Sequence, residues 1–431
     1  MAKVLVIGSG GREHALVRAL IDDADVEEIL CAPGNGGTAA MTGVRSVAFK
    51  GYQELIELAK AERVDLTVVG PENPLADGIS DLFRAHGLKI FGFKKAAAKL
   101  EWSKVYAKYF MRLYKIPTAP FRVFESCDTA LQYLKERFAK DPNAQFFVKA
   151  DELCGGKGAM QATNLEEGEK AVRELLIEKK CGKGERSVIE ECLNGEEASI
   201  LVFVDTQGRY ALMPPAQDHK RRDDGDKGPN TGGMGSYAPA PLISRTVMQS
   251  IEEKIIRPTL EGMKAEGLID CGILYFGLMI APEGKPYVLE YNARFGDPEA
   301  QVILPLLKSD LYPILLACVE GRLGQMKLEW RDGAAVCVTL TVSGYPTHYG
   351  HEREVIEGLE EAERMRDVIV YHAGTMRQDG RFITKGGRIL NVVGLGKDVS
   401  EARKRAYEAV NKIHFNGMHH RKDIAAKALQ A

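Results

Sequence analysis

Residues 3–16, KVLVIGSGGREHAL, combine a short apolar run, a glycine-rich turn and a segment whose apolar residues have helical spacing. A buried strand that passes through glycine into a helix is typical of the first unit of an α/β domain. Further predicted elements alternate up to residue 92, with strands at 29–32, 66–69 and 89–92 and helices at 52–62 and 77–86. This alternation predicts a parallel, Rossmann-like sheet in the N-terminal part of the chain.

The same turn begins like a dinucleotide-binding fingerprint, but two features argue against that function. Glu13 stands where the fingerprint needs its third glycine, and the second strand runs into residues 31–34 (CAPG) without an acidic residue for a ribose. A glycine turn at a helix N-terminus still offers N–H groups to an anion, and Arg12 adds a positive charge. We therefore predict a phosphate-bearing substrate at Gly10, Gly11 and Arg12, with a plain tight turn as the alternative.

The composition is ordinary for a soluble globular protein. Of the 431 residues, 45% are hydrophobic and 27% are charged, and the formal net charge is -2. This near-balance argues against nucleic-acid binding, and no stretch approaches the ~20 apolar residues of a membrane span. The eight cysteines are scattered without a C-x-x-C pair, so neither a zinc site nor a redox dithiol is predicted. Scattered thiols favour a reducing, cytoplasmic location.

The order of predicted elements divides the chain into three regions. Residues 1–103 form the N-terminal domain, and residues 104–325 form a second domain. Within the second domain, residues 121–193 alternate short strands with charged helices and are predicted to form a separate subdomain. Residues 326–431 are predicted to form a small C-terminal α/β domain.

The segment 289–299, LEYNARFGDPE, carries the strongest chemical signal. Side chains alternate along a strand, so Glu290, Asn292 and Arg294 face the same side, with about 7 Å along the chain between successive members. A carboxylate, an amide oxygen and a guanidinium together suit a Mg²⁺ ion and phosphate oxygens. The alternative is a solvated outer face of a sheet, which the apolar flanking residues and the Gly-Asp-Pro turn disfavour. The segment therefore predicts a metal and phosphate site.

Three further segments carry weaker signals. Residues 149–160, KADELCGGKGAM, place two lysines beside a glycine loop that can enclose a polyphosphate, although no Walker A pattern is present. Residues 188–197, VIEECLNGEE, end a strand in carboxylates, which is more often a solvated strand end than a site. A predicted helix carries Lys104, Lys108 and Arg112 on one face, and such a face is usually solvated.

These segments belong to a series of motifs that runs along essentially the whole chain. The motifs are GSGGREHAL (8–16), APGNGGTA (32–39), VVGPENPLADG (68–78), GLKIFG (87–92), KADELCGGKG (149–158), IEECLNGEEAS (189–199), QDHKR (217–221), GPNTGGMGSYAPAP (228–241), EYNARFGDPE (290–299), SGYP (343–346), YHAG (371–374), GGRIL (386–390) and RKDI (421–424). In this order they resemble the glycinamide ribonucleotide synthetase family of the ATP-grasp superfamily.

The resemblance implies a fold and a reaction. The implied fold has an N-terminal Rossmann-like domain, an ATP-grasp domain with a mobile lid at residues 121–193, and a small C-terminal α/β domain. The implied reaction joins glycine to 5-phosphoribosylamine with ATP and Mg²⁺ or Mn²⁺, through glycyl phosphate, in de novo purine biosynthesis. Such an enzyme is expected to bind neither nucleic acid nor membranes, and to be a monomer or weak homodimer. Another ATP-grasp carboxylate–amine ligase or carboxylase, or a nucleotide-binding regulator without catalysis, is the alternative.

The resemblance also implies roles for individual residues. The implied metal ligands are Glu290 and Asn292, and the implied catalytic residues are Arg294, Asp297 and Lys220. The implied ATP contacts are Lys104, Lys149, Gly155, Gly156, Lys157, Gly158, Glu190, Glu191, Leu193 and Glu197, with Glu196 as the alternative to Glu197 at the ribose. The implied substrate contacts are Gly10, Gly11, Arg12, Gly70, Pro71, Glu72, Asp218, Thr231, Gly232, Gly233 and Met234. Asp297 is also the candidate for the glycine amino group.

Two segments need particular attention within this resemblance. Residues 217–235, with five glycines and balanced charge, are predicted to form a flexible loop that closes over charged substrates. In the phosphate loop, Glu152 and Cys154 replace residues that are usually small in the family. A Glu152 carboxylate near phosphates would repel ATP unless it points to solvent. Other departures, at Ser9, Phe93 and Trp102, do not touch the predicted metal site.

Overall fold

The computed structural model describes residues 1–155, 158–349, 351 and 353–429. Its N-terminal region is a five-stranded parallel sheet in the order β3-β2-β1-β4-β5. The strands are β1 (Ala2–Gly8), β2 (Val26–Pro33), β3 (Val44–Ser46), β4 (Leu66–Val69) and β5 (Ile90–Phe91). The helices are α1 (Gly11–Ile21), α2 (Tyr52–Ala61), α3 (Glu72–Asp77), α4 (Ile79–Ala85) and α5 (Lys95–Trp102). The predicted parallel sheet is confirmed.

This strand order brings the carboxyl ends of β1 and β4 next to each other. Chain connections leave β1 and β4 in opposite directions, and this point of a doubly wound sheet forms a crevice. The turns after Gly8 and Val69 therefore meet at one edge. The helix predicted at 77–86 corresponds to α4, and Gly78, with φ 95°, separates it from the additional helix α3.

The subdomain predicted to be a lid, residues 121–193, has an antiparallel sheet in the order β6-β9-β7-β8, preceded by helix α6 (Lys104–Leu113). Its elements are β6 (Phe121–Phe124), α7 (Cys127–Lys140), β7 (Phe146–Ala150), β8 (Ala159–Ala162), α8 (Leu165–Leu176) and β9 (Ser187–Glu191). A hydrophobic cluster that includes Leu134, Phe146 and Val172 draws its buried members from this subdomain. The subdomain therefore has a core of its own, as a separately packed unit requires.

The remainder of the second region is built on a four-stranded antiparallel sheet in the order β11-β10-β16-β17. The chain passes in order through β10 (Glu196–Val204), β11 (Tyr210–Leu212), β12 (Gln217–Asp218), β13 (Arg221–Asp223), β14 (Lys227–Asn230), β15 (Gly235–Ala238), α9 (Arg245–Ile251), a π-helical turn (Glu252–Ile256), α10 (Arg257–Ala265), β16 (Gly272–Ile280), β17 (Pro286–Asn292), α11 (Ala300–Ile303) and α12 (Leu311–Val319). The segment 289–299 thus begins on β17 and leaves the sheet after Asn292.

The C-terminal region completes a sheet that begins in the second region. Its elements are β18 (Ala334–Val342), α13 (Leu359–Glu363), β19 (Val368–His372), β20 (Thr375–Gln378), β21 (Arg381–Thr384), β22 (Arg388–Gly396), α14 (Val399–Val410) and β23 (Met418–His419). The sheet order is β12-β15-β18-β22-β19, with β23 also paired to β18. Because β12 and β15 flank the polar segment 217–235, the C-terminal region holds both ends of that segment.

The three regions also share apolar cores. One buried cluster contains Leu16 of the N-terminal region, Phe203 and Phe295 of the second region, and Val393 of the C-terminal region. At the junction, Gly37 lies so close to the His14 and His372 rings that a Cβ atom would collide with both. None of the helices in the described part of the chain is long and apolar enough to cross a membrane.

The polar segment 217–235, predicted as a flexible loop, is instead a short hairpin of β13 and β14 fastened to the C-terminal region. The fastening residue is Arg421, whose side chain is buried. Its guanidinium makes a bidentate pair with Asp423, at 2.7 Å for both bonds, and donates to Asp226 Oδ1 at 2.9 Å. Asp423 in turn accepts a hydrogen bond from Gly225 N at 2.8 Å. A buried guanidinium that satisfies two carboxylates gives the glycine-rich hairpin a defined position.

We expect Arg421→Met to loosen this hairpin. The substitution leaves Asp226 and Asp423 without their shared cation, and the loss of one member of a buried charge network costs about 2–3 kcal/mol when its partners are partly exposed. Hydrogen exchange of the β13–β14 amides should accelerate, and the thermal midpoint should fall. Arg364→Met removes an exposed pair with Glu360 and is the control; it should change neither quantity. Unchanged exchange in Arg421→Met would show that the hairpin does not depend on this network.

Candidate active site

A cleft of about 850 Å³ opens where the N-terminal, lid, second and C-terminal regions meet. Each region contributes charged side chains to its wall, among them Arg12, Lys149, Glu290 and Arg388. The carboxyl edge of the parallel sheet and the end of β17 face into the same space. The cleft therefore brings together most of the segments that the sequence singled out.

Two lysines and one glutamate form a buried charge cluster at the lid side of the cleft. Glu190 on β9 contacts Lys149 on β7 through one carboxylate oxygen and lies 2.5 Å from Lys108 Nζ through the other. Lys108 also donates to Thr118 Oγ1 at 2.7 Å. Burial alone would raise the pKa of Glu190, but Lys149 and Lys108 hold that pKa below its usual value. The cluster carries a net positive charge, which suits an anionic ligand.

The phosphate loop approaches this cluster without the repulsion expected from Glu152. The Glu152 carboxylate accepts a hydrogen bond from Lys183 N at 2.7 Å, in the loop between α8 and β9. Its backbone oxygen, in turn, accepts from Lys104 Nζ at 3.4 Å. The Glu152 carboxylate is therefore hydrogen-bonded to the backbone of the lid. Gly155 and Gly158 border the cleft, whereas the predicted contacts Gly156 and Lys157 lie outside the described residues.

The same loop contains a cysteine pair that the sequence did not predict. Cys154 and Cys181 lie next to each other, with their Cα atoms 5.7 Å apart and 27 residues apart in sequence. The absence of a C-x-x-C motif led to the prediction of neither a zinc site nor a redox dithiol, and it gave no sign that these two residues meet. The fold of the lid, rather than local spacing, brings them together.

Arg294 projects from the end of β17 into a ring of carboxylates and carbonyls. Its Nη2 lies 3.0 Å from Glu101 Oε1 and 3.2 Å from Asn292 Oδ1, and its Nη1 donates to Phe295 O at 3.2 Å. Its Nε lies 3.4 Å from Glu72 Oε2 and is buried without a hydrogen-bond partner among the described residues. An unpartnered buried donor is costly, so this N–H is available to a ligand oxygen.

Glu290 and Asn292 provide two oxygen ligands on the cleft side of β17. Burial alone would raise the pKa of Glu290, but Lys220, Lys149, Lys104 and Arg294 lower it below its usual value. No described residue donates a hydrogen bond to the Glu290 carboxylate. The described residues contain no group of three or more acidic, histidine or cysteine side chains arranged for a metal ion. The pair therefore fits a cation that completes its coordination with ligand phosphates and water, as Mg²⁺ usually does.

Asp218 presents a buried carboxylate to the middle of the cleft. Lys220 Nζ lies 2.8 Å from Asp218 Oδ2, whereas Asp218 Oδ1 has no partner in the described structure. Burial raises the pKa of Asp218 to about 7, despite the opposing effect of Lys220. Nearby, Glu299 Oε1 accepts hydrogen bonds from Ser199 and Tyr275, each at 2.9 Å. Asp218 is therefore ready to accept hydrogen bonds from a cationic or amine ligand.

Asp297 is, by contrast, already fully engaged. Arg388 of the C-terminal region lies 3.0 Å from Asp297 Oδ2, and Gln301 donates to Oδ1 at 2.7 Å. Burial alone would raise the pKa of Asp297, but Arg388, Arg12 and Gln301 lower it. Arg388 also donates to Gly232 O at 2.6 Å. The predicted candidate for the glycine amino group thus serves to hold the C-terminal region against the cleft.

Glu13 fills the glycine turn at the start of α1. Its Oε2 accepts a hydrogen bond from Gly10 N at 2.5 Å, and its Oε1 accepts from Arg12 Nε at 2.6 Å. A Cβ atom at Gly8 or Gly70 would collide with this side chain. The third glycine of the fingerprint allows the helix to pack closely on the strand, and here that position carries a carboxylate that fills the turn. The physical reason for rejecting a dinucleotide site is thus visible in the turn itself.

Beside that turn, the side chains of Arg12 and Glu72 border the cleft. Arg12 Nη1 donates to Phe295 O at 3.0 Å, and Arg12 Nη2 lies 3.9 Å from Glu72 Oε2. Burial alone would raise the pKa of Glu72, but Arg294, Arg12 and Arg388 lower it to about 2. Pro71 borders the cleft next to Glu72. This crevice therefore joins a fully ionised carboxylate to two arginines.

Several residues predicted to contact substrate do not face the cleft with a side chain. Met234 is fully buried in the core of the C-terminal sheet, so its prediction as a substrate contact is corrected. Gly11 and Gly70 lack the space for a ligand because Asn391 and Glu13, respectively, pack against them. Gly233 packs against Asp218 and Pro298. At these three glycines the backbone packs too closely against neighbouring side chains to leave room for a Cβ atom, which explains why the motifs have glycine there.

The remaining predicted residues border the cleft. They are Gly10, Arg12, Pro71, Glu72, Lys104, Lys149, Gly155, Gly158, Glu190, Glu191, Leu193, Glu197, Asp218, Lys220, Thr231, Gly232, Glu290, Asn292, Arg294 and Asp297. Glu196 borders it too, but Glu197 has Lys220, Glu290 and Lys149 as charged neighbours, whereas Glu196 acts on Tyr237. The geometry therefore favours Glu197 as the member of the pair that faces the phosphate side of the cleft.

Sequence reasoning missed Lys108, Glu101, Glu299 and Arg388. Lys108 was on a helix face expected to be solvated, yet it is buried against Glu190. Its spacing of four residues from Lys104 was the available signal. Glu101 lies three residues before that helix, and no sequence pattern marked it as a site residue. Arg388 lies within the motif GGRIL, but only the tertiary structure shows that it reaches Asp297.

Comparison with known proteins gives a consistent result over the whole chain. Family models described as the N domain, the ATP-grasp (A) domain and the C domain of phosphoribosylglycinamide synthetase match residues 2–101, 102–300 and 335–427. A phosphoribosylamine–glycine ligase from Neisseria meningitidis serogroup B is 47% identical over 430 residues, covering 99% of each chain. These matches bear out the resemblance seen in the motifs.

Two solved structures show the same architecture. The crystal structure of phosphoribosylamine–glycine ligase from Thermotoga maritima matches with a TM-score of 0.83 and 36% identity, covering 98% of this chain and 100% of that one. The biotin carboxylase domain of Hydrogenobacter thermophilus 2-oxoglutarate carboxylase, in complex with MgADP and bicarbonate, matches with a TM-score of 0.70 and 17% identity, covering 96% and 91%. The second likeness shows the fold alone. The family models and the close relative together establish that this chain belongs to the phosphoribosylglycinamide synthetase family.

Proposed function

We propose that the cleft ligates glycine to 5-phosphoribosylamine in three linked sites: a nucleotide site under the lid, a glycine site at Asp218 and an amine site at the N-terminal crevice. The activity follows from the family: the chain is an ATP-dependent phosphoribosylamine–glycine ligase of purine biosynthesis. The observation that carries the site assignment is the convergence of Lys149, Glu290 and Arg294 on one cleft. ATP is the nucleotide, as the ATP-grasp family assignment requires.

The nucleotide site is built to receive a polyphosphate. Lys104 and Lys149 supply cations beside the loop 154–158, and Lys108 with Glu190 fixes Lys149 in place. Adenine is assigned to the strand end around Glu191 and Leu193, and the ribose to Glu197. Glu290 and Asn292 would hold Mg²⁺ or Mn²⁺, which when bound neutralises phosphate charge and orients the transferred group. We assign closure of the site to a mobile lid at 121–193.

Glycine is assigned to Asp218 rather than to Asp297. Among the described residues Asp218 is paired with Lys220 alone, at 2.8 Å, and its other oxygen has no partner, whereas both Asp297 oxygens are taken by Arg388 and Gln301. An ammonium group at Asp218 would satisfy this buried carboxylate. Lys220, whose pKa is raised well above its usual value by Asp218 and other acidic neighbours in spite of burial, stays charged and can contact the glycine carboxylate. The two ends of glycine are thus matched by opposite charges.

The phosphoribosylamine site is assigned to the crevice formed by Gly10, Arg12, Pro71 and Glu72. Arg12 offers charge to the 5-phosphate, and the ionised Glu72 can accept hydrogen bonds from ribose hydroxyls. Thr231 and Gly232 border the same space from the hairpin side. This placement brings the ribosylamine nitrogen towards the end of β17, where Arg294 lies.

The order of the chemistry follows from the weakness of a carboxylate as an acylating agent. Glycine carboxylate attacks the γ-phosphate of ATP, ADP leaves, and glycyl phosphate forms. The ribosylamine nitrogen then attacks the glycyl carbonyl, phosphate leaves, and the amide forms with loss of a proton. Arg294, with its free Nε–H, stabilises the charge on the transferred phosphoryl group. The remaining contribution of the protein is positioning and exclusion of water.

The proposal includes four further expectations about the protein as a whole. We propose a cytoplasmic enzyme, a monomer or weak homodimer, which does not bind nucleic acid or membranes. We also propose functional boundaries at 1–103, 104–325 and 326–431. The family models match residues 2–101, 102–300 and 335–427, so the first proposed boundary lies close to a change of model and the second lies in the unmatched segment 301–334. The sheet shared by β12, β15 and β18 makes the second and third units interdependent.

The decisive experiment measures phosphate release from ATP with Mg²⁺, glycine and phosphoribosylamine generated in situ, omitting each component in turn. We expect release to require both substrates. Glu290→Ala should reduce the rate at least about 100-fold, because it removes a group that acts on developing charge. Release that does not need glycine, or full activity of Glu290→Ala, would contradict the proposal and favour another ATP-grasp ligase or carboxylase.

Lys149→Met should weaken nucleotide binding about 10–100-fold, which corresponds to the loss of one charge-assisted contact to a phosphate. Titration calorimetry with ADP and Mg²⁺ measures the effect directly. Lys108 remains to compensate Glu190, so the lid core should stay folded. Lys135→Met is the control, because Lys135 is an exposed lysine on α7 of the same subdomain. Equal affinities for the two variants would remove Lys149 from the nucleotide site.

The KM for glycine should fall as pH rises from 6 to 8. Burial raises the pKa of Asp218 to about 7, so its carboxyl is largely neutral below that pH and ionised above it. Only the ionised form attracts the glycine ammonium, which remains protonated throughout this range. Asp218→Asn should abolish the pH dependence and raise the KM for glycine about 30-fold or more. If the variant kept the same pH dependence as the wild type, another group would have to bind the ammonium.

A further inference from the structure

Glu101 is a buried carboxylate that faces the proposed reaction centre from the N-terminal region. It lies near the end of α5 and is 8% exposed. One oxygen lies 3.0 Å from Arg294 Nη2, and the other accepts a hydrogen bond from Ala293 N at 2.8 Å. A single side chain thus holds both the guanidinium of Arg294 and the backbone just before it.

The charged groups around Glu101 explain why this position carries a carboxylate. Burial of a carboxylate is costly unless an opposite charge is close. Burial raises the pKa of Glu101 to about 6, because the attraction of Arg294 and, more weakly, of Arg12 only partly offsets burial and the nearby Glu72 carboxylate. Burial lowers the pKa of Lys104, and the Glu101 carboxylate is one of the acidic neighbours that partly offset this effect. A neutral acceptor would satisfy the Ala293 N–H equally well, so the negative charge is accounted for by Arg294.

The contacts of Arg294 show what Glu101 controls. Nη1 and Nη2 are held by Phe295 O, Asn292 and Glu101, while Nε is left without a hydrogen-bond partner among the described residues. An arginine with several rotatable bonds has many orientations, and each fixed nitrogen removes some of them. Glu101 is therefore one of the groups that fix the direction of the Arg294 Nε–H, which also lies 3.4 Å from Glu72 Oε2.

We propose that Glu101 is a positioning residue for the reaction: it does not contact substrate, but it orients Arg294 towards the oxygens that carry charge during phosphoryl and acyl transfer. This inference rests on the proposed function of Arg294. It also gives the N-terminal region, which receives the amine substrate, a direct structural connection to the phosphoryl-transfer site.

The test compares Glu101→Gln with the wild type in the same phosphate-release assay. Glutamine keeps the size and an acceptor for Ala293 N but removes the charge that holds Arg294. We expect kcat to fall about 10–100-fold while KM for ATP and for glycine each change less than about 3-fold, because Arg294 acts on the charge that develops during the reaction. A rise in KM with unchanged kcat would overturn the proposal.

Asp270→Asn provides the matched structural control. Asp270 is also a buried carboxylate, lying 2.6 Å from Arg84 Nη1 and accepting a hydrogen bond from Lys94 N at 2.7 Å, but it is remote from the cleft. The two variants should show similar shifts of the thermal midpoint, and only Glu101→Gln should lose kcat. Equal losses of kcat in both would assign Glu101 a purely structural role and overturn the proposal.

A double-mutant cycle with Arg294→Lys separates this inference from the function on which it rests. If Glu101 acts through Arg294, the loss caused by Glu101→Gln should shrink to less than about 3-fold in the Arg294→Lys background. Independent, multiplicative losses would overturn the inference. Full kcat in Arg294→Lys alone would instead contradict the proposed function of Arg294, whereas impaired Arg294→Lys beside fully active Glu101→Gln would contradict the inference alone.

Discussion

Compensation of buried charge is the constraint on which this cleft depends. A lysine or arginine removed from water is tolerated only if a carboxylate or a polar group lies close to it. Lys108 and Lys149 share Glu190, Arg294 is held by Glu101, and Arg388 is paired with Asp297. The positive groups are therefore fixed in position before any phosphate arrives, which is the condition for electrostatic stabilisation of a developing charge.

These pairs also determine how the regions of the chain are joined. The carboxylate of Glu101 comes from the N-terminal region and its arginine from the end of β17, whereas Arg388 comes from the C-terminal sheet. The hairpin β13–β14 adds a connection to the lid, because Arg221 donates to Gln161 on β8 at 2.9 Å. The catalytic cleft and the interfaces between regions are consequently built from the same ion pairs. A change at one interface is expected to alter the chemistry as well as the stability.

The sequence allowed the fold and the centre of the site to be predicted, because both have local signatures. The strand–turn–helix of residues 3–16 indicated the parallel sheet, and alternation along a strand placed Glu290 and Asn292 on one face. Lys108 and Glu101 could not be predicted, since their roles depend on partners that the fold brings from distant strands. The direction of the Glu152 side chain was left open for the same reason, because its partner is a backbone N–H in the loop after α8. The polar hairpin was taken for a flexible loop because its ordering group, Arg421, lies far along the chain.

The dependence of the hairpin on Arg421 has a consequence for the biosynthesis of the protein itself. Arg421 follows Asp226 by 195 residues, so a ribosome completes the hairpin long before it makes the residue that fastens it. The lid can fold as it emerges, since it has local strand pairing and its own core. The cleft becomes complete only when the segment around Arg421 has left the ribosome. A nascent chain therefore cannot assemble the whole ligation site before that point, and activity should begin only after Arg421 has joined the hairpin.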